Sequence, residues 1–486
     1  MLSLDTHILR REGRSLSPPF CLRLAGVGED KLTCTEILRH LPGKRLVCGG
    51  NWQSRGPVVV KVFLNPTGAE RHCRRERQGI QAMQEARIPT PELLLQDRLA
   101  DGQAPLLIFR KMEGFENLAE HLDKTANTQE RLDAMGLAVA SIARLHEAGL
   151  RQRDVHPGNF LLSGDTVMVI DGDDIEKSDR RPLPPQESLS NLALFYAQFP
   201  AQFDGMAPRL TEAYAGFRNW PPGRYEDRAI ADQIKHWREW RLKKFLSKTR
   251  RACTAFRVQK DWHRFMACDR EWYSPGRRKL LEDPDGFIEA GTILKAGNSA
   301  TVAKINLDGQ DVVIKRYNLK NATHALSRSL RPSRAMVSWE NAHRLRFLGI
   351  NTPRPLAVIE ERWGILRKRA YFIMAHQPGK TIDQVLHTLI GRPRMVDGCL
   401  DQLDALLKQL AAARISHGDF KATNFLLSAN RLYLVDLDGM RAHRSGANFR
   451  RAFLRDMQRL VRNWENIPQI SGRLAGHIER MTSIID

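Results

Sequence analysis

Carboxylate and amide side chains recur at one spacing in two parts of the chain. In each part an Asp precedes an Asn by five residues, and a second Asp follows that Asn by twelve. The residues are Asp154, Asn159 and Asp171 in the first part and Asp419, Asn424 and Asp436 in the second. An Asp can accept the proton of a hydroxyl group, and an Asn with a further Asp offers the oxygen ligands that Mg²⁺ prefers. The spacing therefore predicts magnesium-dependent phosphoryl transfer to a hydroxyl group.

Lysines occur where such a reaction needs positive charge. Lys61 and Lys315 lie in the short β-branched runs VVVKVF and VVIKRY, which predict strands. On a strand upstream of the Asp–Asn pair, a Lys can hold the phosphates of ATP that are not transferred. Lys421 lies two residues after Asp419 and can steady the charge of the transferring phosphate, while His156 takes the same place in the first part.

A glutamate follows each strand lysine on a segment of helical composition. Glu76 lies 15 residues after the first lysine, and Glu340 lies 25 residues after the second. A Glu at such a place holds the Lys against the phosphates. Glu70 and Glu85 lie near Glu76 and stay open as alternatives to it.

Glycines precede both lysines, where a loop would cover the phosphates of ATP. The first segment, CGGNWQSRG, contains Gly49 and Gly50, and the second, GTILKAGNSATV, contains Gly291 and Gly297. Neither segment has the full G-x-G-x-x-G pattern, which would be a weak indication by itself. We predict these four glycines as part of two nucleotide sites.

The two parts are copies of one sequence pattern. The string NFLLS occurs twice at an offset of 265 residues, and VMVIDGDD matches LYLVDLDG at the same offset. Upstream, RIPTPELL resembles GINTPRPL at a slightly different offset, as insertions in loops produce. A repeat of this length indicates a duplicated domain and not a solenoid. We predict one domain over 1–275 and another over 276–486, with Tyr273–Gly286 as the connection.

With these motifs both copies resemble the protein-kinase-like fold and, more narrowly, the bacterial lipopolysaccharide core kinases, which phosphorylate heptose or Kdo sugars. In that family, as here, the Asp–x4–Asn loop runs into an FLL-type strand and a V/I-D-x-D element. The resemblance covers roughly Leu41–Trp272 and Phe287–Ile484. It implies an α+β fold of two bilobal domains, each with a small β-rich N-lobe and a helical C-lobe. It also implies ATP and Mg²⁺ as cofactors and a lipopolysaccharide core intermediate as the acceptor.

The copies depart from regulated protein kinases at two motifs. In place of H-R-D the first copy reads QRD and the second HGD, and neither copy has D-F-G. The departures favour a kinase of small substrates over a protein kinase. Two further alternatives stay open: a small-molecule kinase of another substrate class, and a tandem pseudokinase or scaffold that binds an anionic partner without turnover.

Charge and composition limit the possible partners. The formal net charge is +21, which favours anionic partners. The stretch Arg238–Lys260 has nine Lys or Arg residues and one Glu, and it is predicted either as a core helix with Trp240 and Leu242 packed inward or as an amphipathic helix on an anionic membrane. No nucleic-acid-binding motif accompanies these charges, so a nucleic-acid partner is disfavoured.

The remaining features predict where the protein works. The sequence has no signal-peptide pattern and no apolar run long enough to span a bilayer. Its seven cysteines are scattered, which disfavours zinc or disulfide frameworks and fits a reducing compartment. We expect a cytoplasmic protein that is peripheral at the inner membrane. The sequence leaves its oligomeric state open.

Overall fold

The computed structural model describes residues 3–27, 30–125, 127–318, 332–364, 366–468, 470–474 and 476. Contacts between Cα atoms divide the chain into two units. The first unit contains Met1–Phe199 and Phe203–Arg238, and the second contains Pro200–Gln202 and Glu239–Asp486. In the described part of the chain, no helix has both the length and the apolar character that crossing a bilayer requires.

A seven-stranded sheet forms the N-terminal part of the first unit. Its strands are β1 (Ser3–Leu4), β2 (Phe20–Leu22), β3 (Leu32–Leu41), β4 (Arg45–Trp52), β5 (Gly56–Phe63), β6 (Leu93–Arg98) and β7 (Pro105–Arg110). They pair in the order β1-β2-β3-β4-β5-β7-β6, and only β1 and β2 are parallel. Val58, Val60 and Val62 of β5 are fully buried. Because side chains alternate along a strand, Lys61 points to the opposite face of the sheet.

Two helices accompany this sheet, α1 (Thr6–Glu12) and α2 (Ala69–Glu85). The C-terminal part of the unit is mainly helical. Its helices are α3 (Leu118–Lys124), α4 (Thr128–Glu147), α5 (Pro185–Tyr196), α6 (Ala207–Phe217) and the beginning of α7 (Asp227–Lys248), which belongs to the second unit from Glu239. Short strands lie among them: β8 (Glu116–Asn117), β9 (Leu150–Gln152), β10 (Phe160–Ser163), β11 (Thr166–Val169) and β12 (Ile175–Lys177). The hairpin of β10 and β11 places Asn159 just before its first strand and Asp171 just after its second.

The second unit repeats this plan. Its sheet contains β13 (Phe256–Lys260), β14 (Arg264–Asp269), β15 (Thr292–Ala296), β16 (Ala300–Leu307), β17 (Gln310–Tyr317), β18 (Pro355–Trp363) and β19 (Leu366–Ala375). The strands are antiparallel in the order β13-β14-β18-β19-β17-β16-β15. Helices α8 (Pro275–Glu282), α9 (Pro284–Ala290) and α10 (Arg334–Phe347) accompany it.

Helices also dominate the C-terminal part of the second unit. They are α11 (Ile382–Thr388), α12 (Pro393–Ala412) and α13 (Gly446–Arg462). The short strands are β20 (Lys380–Thr381), β21 (Ile415–Ser416), β22 (Phe425–Ser428), β23 (Arg431–Leu434) and β24 (Arg441–Ala442). Each unit therefore has a β-rich part followed by a helical part, and the predicted α+β fold of two kinase-like domains in tandem is confirmed.

The division between the units lies N-terminal to the boundary predicted between residues 275 and 276. Strand β14 pairs with β18 over five residues, so this region belongs to the second sheet. The predicted connection Tyr273–Gly286 is also folded: α8 and α9 lie within it, and Leu280 and Leu281 are buried. Long-range strand pairing, which the local sequence does not reveal, produces this difference.

The basic segment Arg238–Lys260 was predicted as one helix, either packed in the core or lying on a membrane. The structure shows that the segment is not one continuous helix. It is helical only as far as Lys248, the end of α7, and becomes strand β13 from Phe256. Leu242 is buried, as a core helix requires, whereas 45% of Trp240 is exposed. The predicted inward packing of Trp240 is therefore wrong.

Candidate active sites of the two units

Glu76 links three elements of the first unit. Its helix α2 buries Cys73, Glu76, Ile80 and Met83, which recur every three or four residues on one face. The carboxylate accepts a hydrogen bond from Lys61 Nζ on β5 at 2.5 Å. It also accepts the backbone N–H groups of Gly172 and Asp173, at 3.1 and 3.2 Å. One buried carboxylate thus joins the strand lysine, the helix and the turn that follows β11.

Two glycines allow helix α2 and this turn to come so close. A Cβ atom on Gly79 would lie 2.0 Å from the carbonyl oxygen of Gly172. A Cβ atom on Gly172 would lie 2.3 Å from the carbonyl oxygen of Glu76. Both distances are far too short for a side chain, so the sequence D-G-D in place of D-F-G has a steric reason in this unit.

Asp171 stands at the start of that turn with a left-handed backbone, at φ 72°. Its Oδ1 atom lies 3.6 Å from Lys61 Nζ and 3.6 Å from Arg45 Nη1. Burial raises the pKa of Asp171, but the two cations outweigh burial and lower the pKa to about 2, so the group is a carboxylate at neutral pH. Arg45, on β4, was missed by sequence reasoning because no motif or spacing marks it.

The loop before β10 holds Asp154 and Asn159 together. Asn159 Nδ2 donates a hydrogen bond to the carbonyl oxygen of Asp154 at 3.1 Å. The backbone N–H of Ile170 donates to the carbonyl oxygen of Asn159 at 2.9 Å, which ties the loop to the strand that leads to Asp171. Asn159 is buried, whereas Asp154 is exposed. The structure thus brings the three spaced residues into one site, with Asp154 at its open side.

The donor set of the first unit suits Mg²⁺. The Oδ1 atom of Asp171 is buried and, among the described residues, has no hydrogen-bond partner. An amide oxygen and a carboxylate are hard oxygen ligands of the kind that this ion takes beside phosphates. Asn159 and Asp171 therefore fit the predicted metal site.

Lys315 in the second unit is held differently. Its Nζ donates to Asp436 Oδ1 and, at 3.2 Å, to Asp438 Oδ2. Asp438 also accepts a hydrogen bond from Arg334 Nη2 at 2.8 Å. Burial would lower the pKa of Lys315, but Tyr317 and the two carboxylates raise it overall, and the pKa of Asp436 is lowered in return. Both carboxylates that hold this lysine come from the turn after β23.

Glu340, predicted to hold Lys315, is engaged elsewhere. It forms ion pairs with Arg250 and, at 3.4 Å, with Arg344. The assignment of Glu340 as the partner of Lys315 is therefore corrected.

The rotation of helix α10 explains the correction. The N–H of Ile88 bonds to the carbonyl of Met83 at the end of α2, and the N–H of Ile350 bonds to the carbonyl of Leu345 at the end of α10, both at 2.9 Å. With these ends matched, Ser338 takes the place of Glu76, and its Oγ lies 2.8 Å from the hydroxyl of Tyr317. A residue two positions further along is turned by about 200° around the helix axis, away from the lysine.

The catalytic loop of the second unit keeps the arrangement of the first. Asn424 Nδ2 donates to the carbonyl oxygen of Asp419 at 2.9 Å. Lys421 Nζ lies 3.1 Å from Asp419 Oδ2, and Arg459 Nε lies 3.1 Å from Asp419 Oδ1. Lys421 is thus next to the carboxylate, where its predicted role requires it. Arg459 comes from α13, and no motif or spacing marks it in the sequence.

The predicted glycine segments occupy different places. Gly49 and Gly50 lie inside β4 and not in a loop. A Cβ atom on Gly50 would lie 2.1 Å from the carbonyl oxygen of Thr33, so close strand pairing explains that glycine. The turn between β3 and β4 contains Gly43 instead, at φ 66°.

In the second unit Gly297 lies in the equivalent turn, between β15 and β16. Its N–H donates to the carbonyl oxygen of Ala300 at 3.1 Å. Gly291 lies before that turn, between α9 and β15. A loop over the phosphates is therefore expected at Gly43 and Gly297, and the first of these was missed.

Comparison with known proteins identifies the family of the chain. The model of the lipopolysaccharide kinase (Kdo/WaaP) family matches residues 57–214 and 290–474, which together make up more than half of the chain. A solved structure of a rhoptry kinase from Toxoplasma gondii is similar at 14% identity and a TM-score of 0.32, covering 49% of this chain and 89% of that one. No curated protein matches the chain. The chain belongs to the lipopolysaccharide kinase (Kdo/WaaP) family, with one matched segment in each half.

Proposed function

We propose that the protein transfers the γ-phosphate of ATP, with Mg²⁺, to a sugar hydroxyl of the lipopolysaccharide inner core, on a heptose or Kdo. Membership of the family supports a phosphotransferase that acts on this class of glycolipid. The observation that carries the proposal is the buried contact of Lys61 with Glu76 beside Asp171. A site for a nucleoside triphosphate needs a lysine that is fixed in this way next to a metal-binding carboxylate.

Each side chain of the first unit has a role in this proposal. Lys61 binds the phosphates that are not transferred, and Glu76 keeps its ammonium group in place. Asn159 and Asp171 hold Mg²⁺, which when bound neutralises charge on the phosphates. Asp154, exposed at the open side, orients the acceptor hydroxyl and accepts its proton.

The second unit is proposed to work with a parallel set. Lys315 binds phosphates, Asn424 and Asp436 hold the ion, and Asp419 is the base with Lys421 beside it. A second candidate role for this unit is nucleotide binding or scaffolding without turnover. It is favoured by one observation: Ser338 stands where the first unit has Glu76, so among the residues that the structure describes no carboxylate on a helix holds Lys315.

The charge of the protein fits an acceptor of this class. The sequence carries a net charge of +21, and a lipopolysaccharide core intermediate is an anionic glycolipid in a membrane. We therefore place the protein at the cytoplasmic face of the inner membrane.

The test uses the purified full-length chain with ATP, Mg²⁺ and isolated lipopolysaccharide core as acceptor. We expect phosphate transfer, detected as a mass increase of the core, and its loss when EDTA removes the metal. Loss of core phosphate in cells that lack the chain would support the same acceptor. Transfer to a small hydroxyl compound but not to the core would indicate the other substrate class. Nucleotide binding without any phosphate transfer would support the alternative role as a scaffold without turnover.

A further inference from the structure

Two hairpin turns lie side by side at one end of the sheet of the second unit. One joins β13 to β14 and carries Trp262, and the other follows Trp363, the last residue of β18. The N–H of Gly364 donates to the carbonyl oxygen of Trp262 at 3.0 Å, and the N–H of Arg362 donates to that of His263 at 2.7 Å. The hydrogen bonds of the sheet therefore continue into the turns and hold both tips at the same end of the sheet.

Both indole rings are exposed, while the backbone that carries them is held by hydrogen bonds. Trp262 is 65% exposed and Trp363 is 60% exposed, the highest values among the large apolar side chains of the described residues. Gly364 has φ 59°, and a Cβ atom there would lie 2.8 Å from Cζ2 of Trp262. The ring of Trp262 thus rests on the backbone of the neighbouring turn. Two exposed tryptophans held next to each other are an apolar surface of the kind that marks an interaction site.

Basic residues outnumber acidic residues around the two tips, with Lys260, Arg264, Arg362, Arg367 and Lys368 against Asp261, Glu360 and Glu361. Lys260 and Lys368 are exposed. Asp261 Oδ1 accepts the N–H groups of His263 and Arg264, each at 2.8 Å.

Glu360 lies on β18 near the same end of the sheet and is 1% exposed. It is paired with Arg362 at 2.6 Å and with Arg367 at 3.6 Å. With five basic residues against three acidic ones, the net charge around the two tips is positive.

The corresponding hairpin of the first unit is built differently. Its turn, between β6 and β7, contains Asp101, Gly102 and Gln103, and no tryptophan. Asp101 accepts hydrogen bonds from the N–H and the Oγ1 of Thr6, at 2.7 and 2.9 Å, so this tip is polar and attached to the N-terminal segment. The fold itself thus does not require tryptophans at this place.

We propose that Trp262 and Trp363, with Lys260 and Lys368, form a membrane-docking surface that binds bilayers of anionic phospholipid. Tryptophan side chains partition to the boundary between headgroups and acyl chains, since their rings combine apolar area with a polar N–H. Lysines beside them are attracted to the negative surface of such a bilayer. The surface extends the proposed function, because a lipid-linked acceptor must be reached at a membrane.

The experiment measures sedimentation of the full-length protein with vesicles of phosphatidylethanolamine and phosphatidylglycerol, and with vesicles of phosphatidylcholine alone. We expect stronger binding to the anionic vesicles. Trp262→Ser with Trp363→Ser should weaken it about tenfold or more, because both indoles leave the interface. Lys260→Ser and Lys368→Ser should each weaken it about fivefold at low salt, and the effect of the lysines should fade as salt is added.

Trp240→Ser is the matched control. Trp240 is 45% exposed and belongs to the basic segment Arg238–Lys260, so its loss removes an exposed indole at another place. We expect unchanged binding for this variant and unchanged circular dichroism and thermal unfolding for all variants.

The proposal is overturned if the folded Trp262 and Trp363 double variant binds like the wild type, or if Trp240→Ser alone abolishes binding. Neither ATP nor an acceptor is present, so these outcomes do not depend on the proposed kinase activity. Conversely, the double variant should still phosphorylate delipidated core oligosaccharide if the kinase proposal holds.

Discussion

The two units hold equivalent lysines, Lys61 and Lys315, in two different ways. In the first, Lys61 is bound by Glu76, a fully buried carboxylate of helix α2. In the second, Lys315 is bound by Asp436 and Asp438, which both follow β23. The catalytic loops, by contrast, share one geometry down to the hydrogen bond of the Asn side chain.

This difference shows which part of the site can change after duplication. In the first unit the helix reaches the turn through the carboxylate of Glu76. In the second, α10 reaches the corresponding turn through Asn341, whose Nδ2 donates to the carbonyl oxygens of Leu437 and Met440, both at 3.0 Å. The helix stays attached to the turn in both units, but only in the first does that attachment include the lysine. The comparison therefore predicts unequal contributions of the two units to turnover.

The two aspartates that we propose as metal ligands, Asp171 and Asp436, should give the largest effect. We expect Asp171→Ala to lower magnesium-dependent ATP turnover by roughly 10³-fold or more, since it removes a ligand that neutralises phosphate charge. Asp436→Ala should cost less, and the two changes together should abolish turnover. Turnover is followed as ADP release, with Asp165→Ala, an exposed aspartate in the turn between β10 and β11, as the control. Full turnover in the double variant would contradict both site assignments.

The proposed bases separate the two units by their products. Asp154→Asn and Asp419→Asn each remove a base but keep the shape of the side chain, so we expect losses of about 10²–10⁴-fold in transfer by the affected unit. ATP binding should survive. Mass spectrometry of the core should then show a different missing phosphate for each variant. The same missing phosphate in both would mean that the units act as one, and no loss in one variant would identify that unit as the scaffold.

The two glutamates test the lysine anchors directly. Glu76→Gln should lower turnover and also destabilise the first unit by about 3 kcal/mol, because Lys61 loses a buried partner. Glu340→Gln should change turnover less than about twofold, since exposed or half-exposed pairs contribute little. Steady-state kinetics and urea unfolding measure both effects. Equal losses for the two variants would argue against the assigned difference between the lysines.

Asn341 gives the smallest expected effect. Asn341→Ala removes two buried hydrogen bonds and leaves two carbonyl oxygens without these donors, which should destabilise the second unit by about 2 kcal/mol. The exposed Asn448→Ala on α13 is the control, with an expected change below about 0.5 kcal/mol. Differential scanning calorimetry would compare the two. A change no larger than that of the control would show that α10 does not depend on this link.

Much of the candidate site was predictable from the sequence because it is local. The hydrogen bond from Asn159 to the carbonyl of Asp154 spans five residues, and its counterpart in the second unit spans the same five. The following hairpin fixes the path to Asp171. Residue spacing determines short-range geometry of this kind. The Asp–Asn–Asp pattern was therefore enough to predict that these side chains lie in one site.

Tertiary packing decided what the spacing could not. Whether Glu340 or Ser338 takes the position that Glu76 has in the first unit depends on how α10 is rotated against the sheet, and a helix turns by about 100° with each residue. Arg45 and Arg459 approach the aspartates from distant elements. The sequence predicted a helix throughout Arg238–Lys260, but from Phe256 the chain is strand β13, paired with β14, which itself pairs with β18 nearly a hundred residues further along the chain. Such choices follow from contacts between segments far apart in sequence, because burial and strand pairing outweigh weak local preferences.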